Sequence, residues 1–469
     1  MSFLDEIRPK IEEQVAERKR ERSAETLRDD LQEGDHRFRA AIQQPDRVSL
    51  IAEFKRSSPS RGDIDRDASL STYARLYDRY ADAISILTEP EYFGGSPELL
   101  DEAGTYTDRP LLRKDFVIDP YQILEARYFG ADAVLLIEDM LTDEELESFI
   151  QQIEDLGMDA LVECHDRRGL RRVIDAGAEV IGVNNRDLES LEVDRSNTER
   201  LLNTLSAEER EEHLFVAESG LYSRSDVLAV EGVADAVLIG SAIMSSPVPE
   251  VKLKELTGET LVKFCGITSE EDASRALEAG ADLIGLNFYD PSPRALDPGK
   301  AANIADHVRG RALVVGVFVN ASPNDVKQVH EWVGLDVIQC SGDETPDEIE
   351  RLQELGVPVM DATQVKDAES IEELERSPAE YRMVDAFDED RYGGTGKRLN
   401  DSLIEQADID TRELVAAGGL TPDNVDQVLE RLNPLMVDVC SGIEDEPGIK
   451  NPEDMEAFSN AVRFSRRET

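Results

Sequence analysis

Ionisable and amide side chains recur in the first half of the chain where short apolar runs end. They are Glu53, Lys55, Lys114, Glu163, Asn184, Arg186 and Glu218. A lysine that is partly desolvated or close to other cations has a lowered pKa, and it can then exchange a proton near neutral pH. Lysines and carboxylates that converge on one point form an acid–base set. We therefore expect proton-transfer chemistry in a shared site.

Small residues follow the last two apolar runs of the same half. Ser219 and Gly220 stand after one run, and Gly240 and Ser241 stand after the next. Backbone N–H groups in such turns, and the helix N-termini that follow them, commonly bind phosphate. The pattern predicts a phosphate site beside the acid–base set.

The second half of the chain offers a thiol, Cys265, and a carboxyl group, Asp385. A thiolate and a carboxylic acid on opposite sides of one mouth can deprotonate carbon and protonate oxygen in the same substrate. The thiol needs a lowered pKa for this, and nearby helix N-termini can supply it. Taken alone, Cys265 also fits a small buried apolar residue.

Apolar β-branched runs alternate with polar stretches of helical length, which is typical of βα units around a parallel sheet. The runs of the first half are 49–54, 83–87, 110–113, 133–137, 159–162, 180–183, 214–217 and 236–239. Those of the second half are 261–264, 283–287, 313–319, 337–339, 357–360, 382–384, 414–416 and 435–439. About eight strands close a (β/α)8 barrel, so we expect an α/β protein of two consecutive TIM barrels.

A doubly wound open sheet is the alternative architecture. It is disfavoured because no GxGxxG motif follows a first strand. The polar residues named above also follow many different strands, as they do in barrel enzymes, whose sites lie at the carboxyl ends of the strands.

The segment before the first run is too long to be a barrel loop. Leu4, Ile7, Ile11 and Val15 have helical spacing within residues 3–20, which predicts an appended helix over one end of the first barrel. A polar stretch at 247–260 separates the two series of strands. The predicted domains are therefore 1–256 and 257–469.

Acidic residues outnumber basic ones along the whole chain. The sequence has 101 Asp and Glu against 51 Lys and Arg, a net charge of −50. Nucleic acid and anionic membranes are poor partners for such a surface. Because the screening length falls to about 3 Å at 1 M salt, the composition favours adaptation to high salt, and an ordinary acidic protein is the alternative.

The cysteines and the apolar runs indicate the cellular compartment. Cys164, Cys265, Cys340 and Cys440 show no CxxC spacing, which argues against a disulfide framework or a zinc cluster and for a reducing cytosol. No apolar run is long enough for a membrane span, and the first twenty residues lack the apolar core of a signal peptide. We expect a cytoplasmic protein.

The first half resembles the indole-3-glycerol-phosphate synthases. The similarity rests on Ile51-Ala-Glu-Phe-Lys-Arg-Ser-Ser-Pro-Ser-Arg-Gly62, Leu112-Arg-Lys-Asp-Phe-Val-Ile-Asp119, Leu161-Val-Glu163, Ile181-Gly-Val-Asn-Asn-Arg-Asp-Leu188 and Ala217-Glu-Ser-Gly-Leu221, in that family's order. It implies the ring closure of 1-(2-carboxyphenylamino)-1-deoxyribulose 5-phosphate, with loss of water and CO2.

The same resemblance implies residue roles. Lys114 would be the general acid at the ribulose carbonyl, and Glu163 the general base that helps to remove water. Lys55 would touch the phosphate or the substrate carboxylate, and Arg186 the anthranilate end. The other implied roles are orientation by Glu53, Asn184 and Glu218, and phosphate binding by Ser219, Gly220, Gly240 and Ser241.

The second half resembles the phosphoribosylanthranilate isomerases. The similarity rests on Lys263-Phe-Cys-Gly-Ile-Thr268, Ser292-Pro-Arg294, Gly316-Val-Phe-Val-Asn320, Gly393-Gly-Thr-Gly-Lys397, Ala417-Gly-Gly-Leu-Thr-Pro-Asp-Asn-Val425, Val437-Asp-Val-Cys-Ser-Gly-Ile-Glu444 and Gly448-Ile-Lys450. It implies an Amadori rearrangement of N-(5-phosphoribosyl)anthranilate. The product is the substrate of the first half, so the two halves would catalyse consecutive steps of tryptophan biosynthesis.

This resemblance also implies roles. Asp385 would be the acid that opens the furanose ring, and Cys265 the base that takes the proton from C2′. Arg294 would contact the anthranilate carboxylate, and residues 393–396 would form a mobile loop over the acid. Gly418, Gly419, Ser441 and Gly442 would cradle the phosphate. Gln339 would contact substrate, but the chain reads Gln339-Cys-Ser-Gly342 where the family has Gln-Leu-His-Gly, so Ser341 replaces a histidine.

Two other interpretations compete with this one. Related barrels of histidine synthesis would show paired catalytic aspartates, whereas this chain pairs Cys265 with Asp385. In the other, only one barrel is active and its neighbour is a scaffold. Neither half has a nucleotide motif or a metal-ligand cluster, so we expect no cofactor and no metal. The expected partners are small phosphorylated anthranilate–ribose compounds, with no obligate protein partner.

The charge predicts a salt dependence. Both implied substrates carry a phosphate and a carboxylate, and the enzyme carries −50, so long-range repulsion should slow their encounter in dilute buffer. We expect kcat/KM per folded molecule to rise steeply between about 0.01 M and about 1 M KCl, because the screening length falls from about 30 Å to about 3 Å. Circular dichroism at each concentration gives the folded fraction. A fully folded enzyme that is fastest in dilute buffer contradicts the prediction.

Overall fold

The computed structural model describes residues 3–32, 34–59, 62–187, 192–386, 404 and 407–464. The chain divides into two compact units, Met1–Ser246 and Pro247–Thr469. Within the described ranges, no helix combines the length and the apolar character that crossing a bilayer requires.

The first unit is built on a closed barrel of eight parallel strands. They are Ser49–Phe54, Ala83–Leu87, Leu111–Lys114, Ala133–Ile137, Asp159–Cys164, Val180–Asn184, Leu214–Glu218 and Ala236–Ile239. The ring closes where Ser49 of the first strand pairs with Ala236 of the last. All residues of these strands are buried except the half-buried Lys114, as expected for a parallel sheet that is covered on both faces.

The second unit repeats this topology in the remaining half of the chain. Its strands are Leu261–Cys265, Leu283–Asn287, Leu313–Phe318, Val337–Cys340, Val359–Val365, Tyr381–Ala386, Leu414–Ala416 and Met436–Val439. Its ring closes where Leu261 pairs with Met436. The prediction of two consecutive (β/α)8 barrels is confirmed.

Helices follow the strands in both units. In the first unit they are Phe3–Glu21, Ala24–Asp29, Arg37–Ile42, Leu70–Tyr80, Pro90–Phe93, Glu98–Gly104, Pro120–Tyr128, Asp143–Asp155, Arg167–Asp175, Asn197–Leu202, Ala207–Glu211, Arg224–Ala229 and Ser241–Met244. In the second they are Pro249–Thr257, Glu270–Ala279, Pro298–Val308, Pro323–Val333, Pro346–Gln353, Ala368–Arg376, Val425–Leu432 and Pro452–Phe464. Short 3-10 turns lie at Glu138–Met140, Thr411–Glu413 and Ser441–Ile443.

Local sequence explains where several of these helices begin. Asp119 accepts a hydrogen bond from the Tyr121 N–H, and Pro120 occupies the first turn. Ser322 likewise accepts a backbone hydrogen bond ahead of Pro323. An N-cap oxygen satisfies an N–H that the helix leaves without a partner, and proline at the first position has none to satisfy. These caps fix each helix directly after the loop that carries the site residues.

The N-terminal helix lies against loops that follow the carboxyl ends of strands. Ile7, Ile11 and Val15 are buried in one cluster with barrel side chains. Lys19 Nζ lies 2.6 Å from the Asp119 carboxylate, and Lys10 Nζ donates to the Tyr92 hydroxyl at 2.8 Å. The helix thus covers the end of the first barrel where the site residues were expected.

Half of the strands run further at their carboxyl ends than the apolar runs indicated. The third, fifth, sixth and seventh strands of the first barrel include Lys114, Glu163, Asn184 and Glu218. The parallel ladder continues through these polar residues because backbone pairing does not depend on side-chain polarity. Residues that were expected after strands are therefore held by sheet hydrogen bonds.

The fifth strand of the second barrel was placed wrongly. The apolar run 357–360 predicted it, whereas the strand is Val359–Val365. Its pairing extends from Met360 opposite Tyr381 to Val365 opposite Ala386. Polar residues such as Asp361 and Gln364 alternate with buried ones here. The run of apolar residues in the sequence therefore ends before the strand does.

The helix Pro249–Thr257 falls within the second unit. Val248 and Val251 pack against Leu261, Val337 and other residues at the amino ends of the strands. Lys254 Nζ lies 2.7 Å from the Asp282 carboxylate. The contacts within the chain divide it about ten residues before the predicted boundary of 256/257. The helix has a polar sequence, but its apolar face packs against the second barrel.

This packing predicts the best place to divide the chain. A fragment 247–469 should unfold at higher denaturant concentration than a fragment 258–469. Full burial of each valine contributes about 1.5–3 kcal/mol, so we expect a difference in unfolding free energy of at least roughly 2 kcal/mol. Urea titration followed by circular dichroism measures it. Equal midpoints for the two fragments would show that the helix contributes nothing to the second barrel.

Candidate active sites

One cavity opens at the carboxyl ends of the first barrel's strands. All eleven residues predicted for this half line it, namely Glu53, Lys55, Lys114, Glu163, Asn184, Arg186, Glu218, Ser219, Gly220, Gly240 and Ser241. They come from many different strands and loops, so their convergence depends on closure of the ring. Of the signature 51–62, Ser60 and Arg61 lie outside the described residues, as does Leu188 of the motif 181–188.

Lys114 lies at the centre of the polar part of this cavity. Its Nζ donates to Glu163 Oε2 at 2.9 Å and to Glu218 Oε2 at 2.6 Å. Asn184 Nδ2 donates to the other Glu163 oxygen at 2.8 Å. The Arg186 backbone N–H in turn donates to the side-chain oxygen Oδ1 of Asn184 at 2.8 Å. This chain of contacts fixes the lysine and the carboxylate at which it points.

The charges of the cluster are set by burial and by mutual attraction. Burial alone would lower the pKa of Lys114, but the carboxylates of Glu163 and Glu218 outweigh it and raise that pKa. The lowered lysine pKa expected from the sequence is therefore wrong for Lys114. Burial favours a neutral Glu163, yet Lys114 and the Asn184 amide keep its pKa below the usual value.

Glu218 behaves differently from its neighbour. Burial raises its pKa to about 7, and the nearby negative charge of Glu163 adds to that effect against the attraction of Lys114. Two carboxylates that share one ammonium cannot both ionise as easily as one. Glu163 is thus the anion of the pair, and Glu218 gains or loses a proton near neutral pH.

Glu53 and Lys55 form a second, shorter polar contact in the cavity, with Lys55 Nζ donating to Glu53 Oε1. A Cβ added to Gly240 would lie 2.3 Å from the same Glu53 oxygen. The Glu53 carboxylate thus occupies space that only a glycine leaves free. This close approach positions it beside the loop expected to bind phosphate.

The expected phosphate cradle is formed from two adjacent turns. Ser219 and Gly220 both have left-handed backbones, with φ of 67° and 77°. Gly240 directly follows the eighth strand, which pairs with the seventh through Leu238 and Glu218. Their N–H groups therefore border one corner of the cavity, the position where barrels commonly bind phosphate.

Sequence reasoning missed the apolar side of the cavity. Phe93, Phe116, Leu135, Ile137 and Leu238 line it opposite the charged cluster. The rings of Phe93 and Phe116 lie 6.2 Å apart between centroids. Phe116 could have been predicted as a site residue because it stands two residues after Lys114. Phe93 ends a short helix that belongs to no recognised motif. These side chains form a wall suited to an aromatic ring.

In the second barrel, Cys265 ends the first strand and Asp385 lies in the sixth. The order of strands places them three strands apart around the ring of eight. Cys265 is buried and Asp385 is half-buried. The expected loop 393–396, and Lys397 with it, lies outside the described residues.

The Cys265 thiol has its pKa lowered to about 7. The largest cause is a hydrogen bond from the Cys440 thiol, which together with the Lys263 ammonium outweighs the opposing effect of burial. Lys263 is fully buried and lies 2.6 Å from the Asp438 carboxylate. Side chains therefore account for the shift, rather than the helix N-termini expected from the sequence.

Arg294 is held by a carboxylate of its own barrel. Its Nε and Nη2 donate to the two oxygens of Glu444 at 2.8 and 2.6 Å. Lys450 Nζ donates to Glu444 Oε1 at 2.8 Å. The sequence predicts that Arg294 contacts an anthranilate carboxylate. Within the protein, Glu444 holds the guanidinium in place, and sequence reasoning missed this partner.

Gln339 lies in the fourth strand of this barrel and is buried. Its Nε2 donates to the Ser341 hydroxyl at 3.0 Å. Ser341, which replaces the family's histidine, thus orients the glutamine.

The residues expected to hold the second phosphate resemble those of the first barrel in their backbone. Gly418 and Gly419 are left-handed, with φ of 91° and 63°. Ser441 begins a 3-10 turn after the eighth strand. A Cβ added to Gly442 would lie 1.9 Å from the Leu420 carbonyl oxygen, so the two turns touch through glycine.

Among the residues that the structure describes, two groups of side chains lie close enough to share a metal ion. They are His36 with Glu154 and Asp159, and Glu138 with Asp139 and His165. Neither group lines the cavity of the first barrel. Asp159 accepts the Arg39 backbone N–H at 2.8 Å, and Glu138 accepts from Arg172 at 2.5 Å. Ion pairs and hydrogen bonds within the protein account for both groups.

Comparisons with known proteins agree with this division into two sites. The indole-3-glycerol phosphate synthase family model matches residues 4–256, and the N-(5'-phosphoribosyl)anthranilate isomerase model matches residues 262–461. The chain is 36% identical over 454 residues to a tryptophan biosynthesis protein TrpCF of Vibrio parahaemolyticus, covering 96% of this chain and 92% of the relative. It is 36% identical to a multifunctional tryptophan biosynthesis protein of Schizosaccharomyces pombe, covering 88% of this chain and 59% of the relative.

Solved isomerase structures are similar to part of the chain. The enzyme from Thermotoga maritima is 32% identical with a TM-score of 0.41, covering 44% of this chain and 99% of that one. The enzyme from Thermus thermophilus is 29% identical with a TM-score of 0.40, covering 44% and 100%. From the two family models in tandem and the relative that matches nearly end to end, the chain belongs to the family of bifunctional tryptophan biosynthesis enzymes, with an indole-3-glycerol phosphate synthase barrel followed by a phosphoribosylanthranilate isomerase barrel.

Proposed function

We propose that Lys114 is the general acid and Glu163 the general base of the synthase barrel, acting on 1-(2-carboxyphenylamino)-1-deoxyribulose 5-phosphate. The observation that carries this assignment is the position of Lys114 Nζ, 2.9 Å from Glu163 and 2.6 Å from Glu218 at the centre of the cavity. A group must lie within hydrogen-bond reach of the proton it transfers, and this arrangement offers both a donor and an acceptor there.

The shifted pKa values support these roles. Lys114 keeps its proton at neutral pH because two carboxylates raise its pKa, so it can donate to the ribulose carbonyl oxygen as the new carbon–carbon bond forms. Glu163 stays ionised and can accept the proton lost when water leaves. Asn184 holds the second Glu163 oxygen and keeps the carboxylate aimed at Lys114.

The rest of the cavity suits the two ends of this substrate. Phe93, Phe116 and Leu238 would receive the aromatic ring. Lys55 and Arg186 would attract its carboxylate, and the turns at Ser219–Gly220 and Gly240–Ser241 would receive the phosphate. Loss of CO2 then restores the aromaticity of the benzene ring, and loss of water completes the indole.

In the isomerase barrel, Asp385 would protonate the furanose ring oxygen and Cys265 would remove the C2′ proton of N-(5-phosphoribosyl)anthranilate. The pKa of about 7 at Cys265 supports its role, because a sizeable thiolate fraction exists at neutral pH. Arg294 would bind the anthranilate carboxylate, Gln339 would contact the substrate, and Gly418, Gly419, Ser441 and Gly442 would hold the phosphate.

The two activities should be separable by single substitutions. Lys114→Ala should remove synthase activity and leave the isomerase, whereas Cys265→Ala or Asp385→Ala should do the reverse. Each loss should reach at least about 10²–10⁴-fold, the usual contribution of an acid–base group. Assays that start from each substrate measure the two steps separately.

A matched control is Lys327→Ala, which removes an exposed lysine of an outer helix and should change neither rate. Near-normal isomerase turnover in Cys265→Ala would refute the assignment of the base.

The shared proton of the synthase cluster predicts a pH dependence. Glu218 is neutral below about pH 7 and anionic above it. The anion strengthens the hold of Lys114 on its proton, so synthase kcat should fall as pH rises through 7. Glu218→Gln keeps an uncharged side chain and should abolish this inflection. An exposed control, Glu211→Gln, should retain it, and the same inflection in Glu218→Gln would assign the titration to another group.

A further inference from the structure

Two cysteines of the isomerase barrel stand side by side across the seam that closes the ring. The first and last strands pair in parallel, with Phe264 opposite Val439. Cys265 ends the first strand, and Cys440 directly follows the last one. Neighbouring strands lie about 4.8 Å apart, so equivalent side chains on one face come into contact. This position brings the Cys440 thiol next to the Cys265 thiol, where a hydrogen bond between them lowers the pKa of Cys265 and raises that of Cys440.

The backbone between them leaves room for this approach. Gly266 has a left-handed φ of 72°. A Cβ at Gly266 would lie 3.1 Å from Cys440 Sγ and 2.5 Å from Arg294 Cδ. Both side chains therefore reach the Cys265 region through space that a larger residue would fill.

Cys440 is also fixed from its other side. Lys450 is fully buried, and its Nζ donates to the Cys440 carbonyl oxygen at 3.0 Å and lies 3.9 Å from the Cys440 sulfur. The same ammonium is paired with Glu444 at 2.8 Å. A cation on that side leaves the Cys440 proton directed away from it and towards Cys265.

A cation meets Cys265 from within the barrel. The Lys263 ammonium lowers the pKa of the Cys265 thiol and so favours its thiolate. A Cβ at Gly285 would lie 2.9 Å from the Cys265 sulfur and 3.2 Å from Lys263 Nζ, which places the two atoms around one point. Of the two thiols, Cys265 therefore carries the negative charge and Cys440 keeps its proton.

We propose that Cys440 is a positioning residue of the isomerase site, whose thiol donates a hydrogen bond to the Cys265 sulfur and holds it as the thiolate base. The inference rests on the proposed role of Cys265. The charged groups around this sulfur are Lys263, Asp438, Lys450 and Arg294, with Glu444 behind them. The Asp438 carboxylate disfavours the Cys265 thiolate, and the cations favour it. Because these effects nearly balance, the hydrogen bond from Cys440 decides whether Cys265 is ionised.

The physical basis is the buried position of the sulfur. Burial disfavours a thiolate, and a hydrogen bond to the charged form restores it. Consistent with this, the pKa of Cys265 is lowered to about 7 while that of Cys440 is raised well above its usual value, first by the same hydrogen bond and then by burial. Without the donor, Cys265 would be protonated at neutral pH and the base would be lost.

The test uses the full-length protein with Cys440→Ala, which removes the donor, and Cys440→Ser, which keeps one. Thiolate absorbance near 240 nm against pH reports Cys265, because burial raises the pKa of Cys164 and Cys340 out of the titrated range. Isomerase kcat/KM is measured across the same pH range. Cys340→Ala is the matched control, a buried cysteine of the same barrel that ends another strand.

We expect Cys440→Ala to move the midpoint of the thiolate titration and the acid limb of kcat/KM upward together, by at least about one on the pH scale. At a fixed pH below the new midpoint, activity should fall about tenfold when the midpoint rises by one, and it should recover at higher pH. The midpoint of Cys440→Ser should stay within about 0.5 of the parent, and that of Cys340→Ala should not move. Circular dichroism of the same variants checks that the isomerase barrel is folded.

Each other outcome has one meaning. A thiolate titration that is unchanged in Cys440→Ala overturns the proposal, and so does a Cys440→Ser variant whose titration moves as far as that of Cys440→Ala. If the thiolate titration moves but the kcat/KM profile does not, Cys440 is the donor and Cys265 is not the base, so the proposed function fails instead.

Discussion

Each barrel buries a lysine ammonium against carboxylates inside its ring of strands, and the proposed chemistry of each half depends on that ion pair. Lys114 lies between Glu163 and Glu218, and Lys263 lies against Asp438. A buried ion loses several kcal/mol of hydration unless a partner stays close. Closure of the ring supplies the partners, because it brings residues from distant strands into contact. In the proposed chemistry, the cation carries a proton in one barrel and stabilises a sulfur anion in the other.

The positions of the polar site residues could be predicted because one rule governs them. Glu53, Lys114, Glu163 and Glu218 stand at the carboxyl ends of parallel strands in one ring, and such ends meet at one mouth. The number of strands followed from alternating apolar and polar stretches. The ends of the strands could not be predicted from this alternation, because polar residues such as Asn184 and Asp385 continue the backbone pairing beyond the last apolar residue.

Pairings between distant parts of the chain could not be predicted in the same way. Glu444 holds Arg294 from 150 residues away in the sequence, and Asp438 pairs with Lys263 from 175 residues away. Only the register of the closed ring brings them together. The pKa values follow from the same contacts, which is why the sequence suggested a lowered pKa for Lys114 and the structure raises it. The apolar side of the first cavity, which includes Phe93, was missed because it too is formed by residues from distant parts of the chain.

The seam of the first barrel determines the order in which its pieces become protected during synthesis. The strand Ser49–Phe54 gains its second neighbour only when Ala236–Ile239 has been made, nearly two hundred residues later. Until then it is an open edge that could pair with other chains. The segment made before then carries more acidic than basic residues, so repulsion between like-charged copies opposes pairing at that edge while the ring is incomplete.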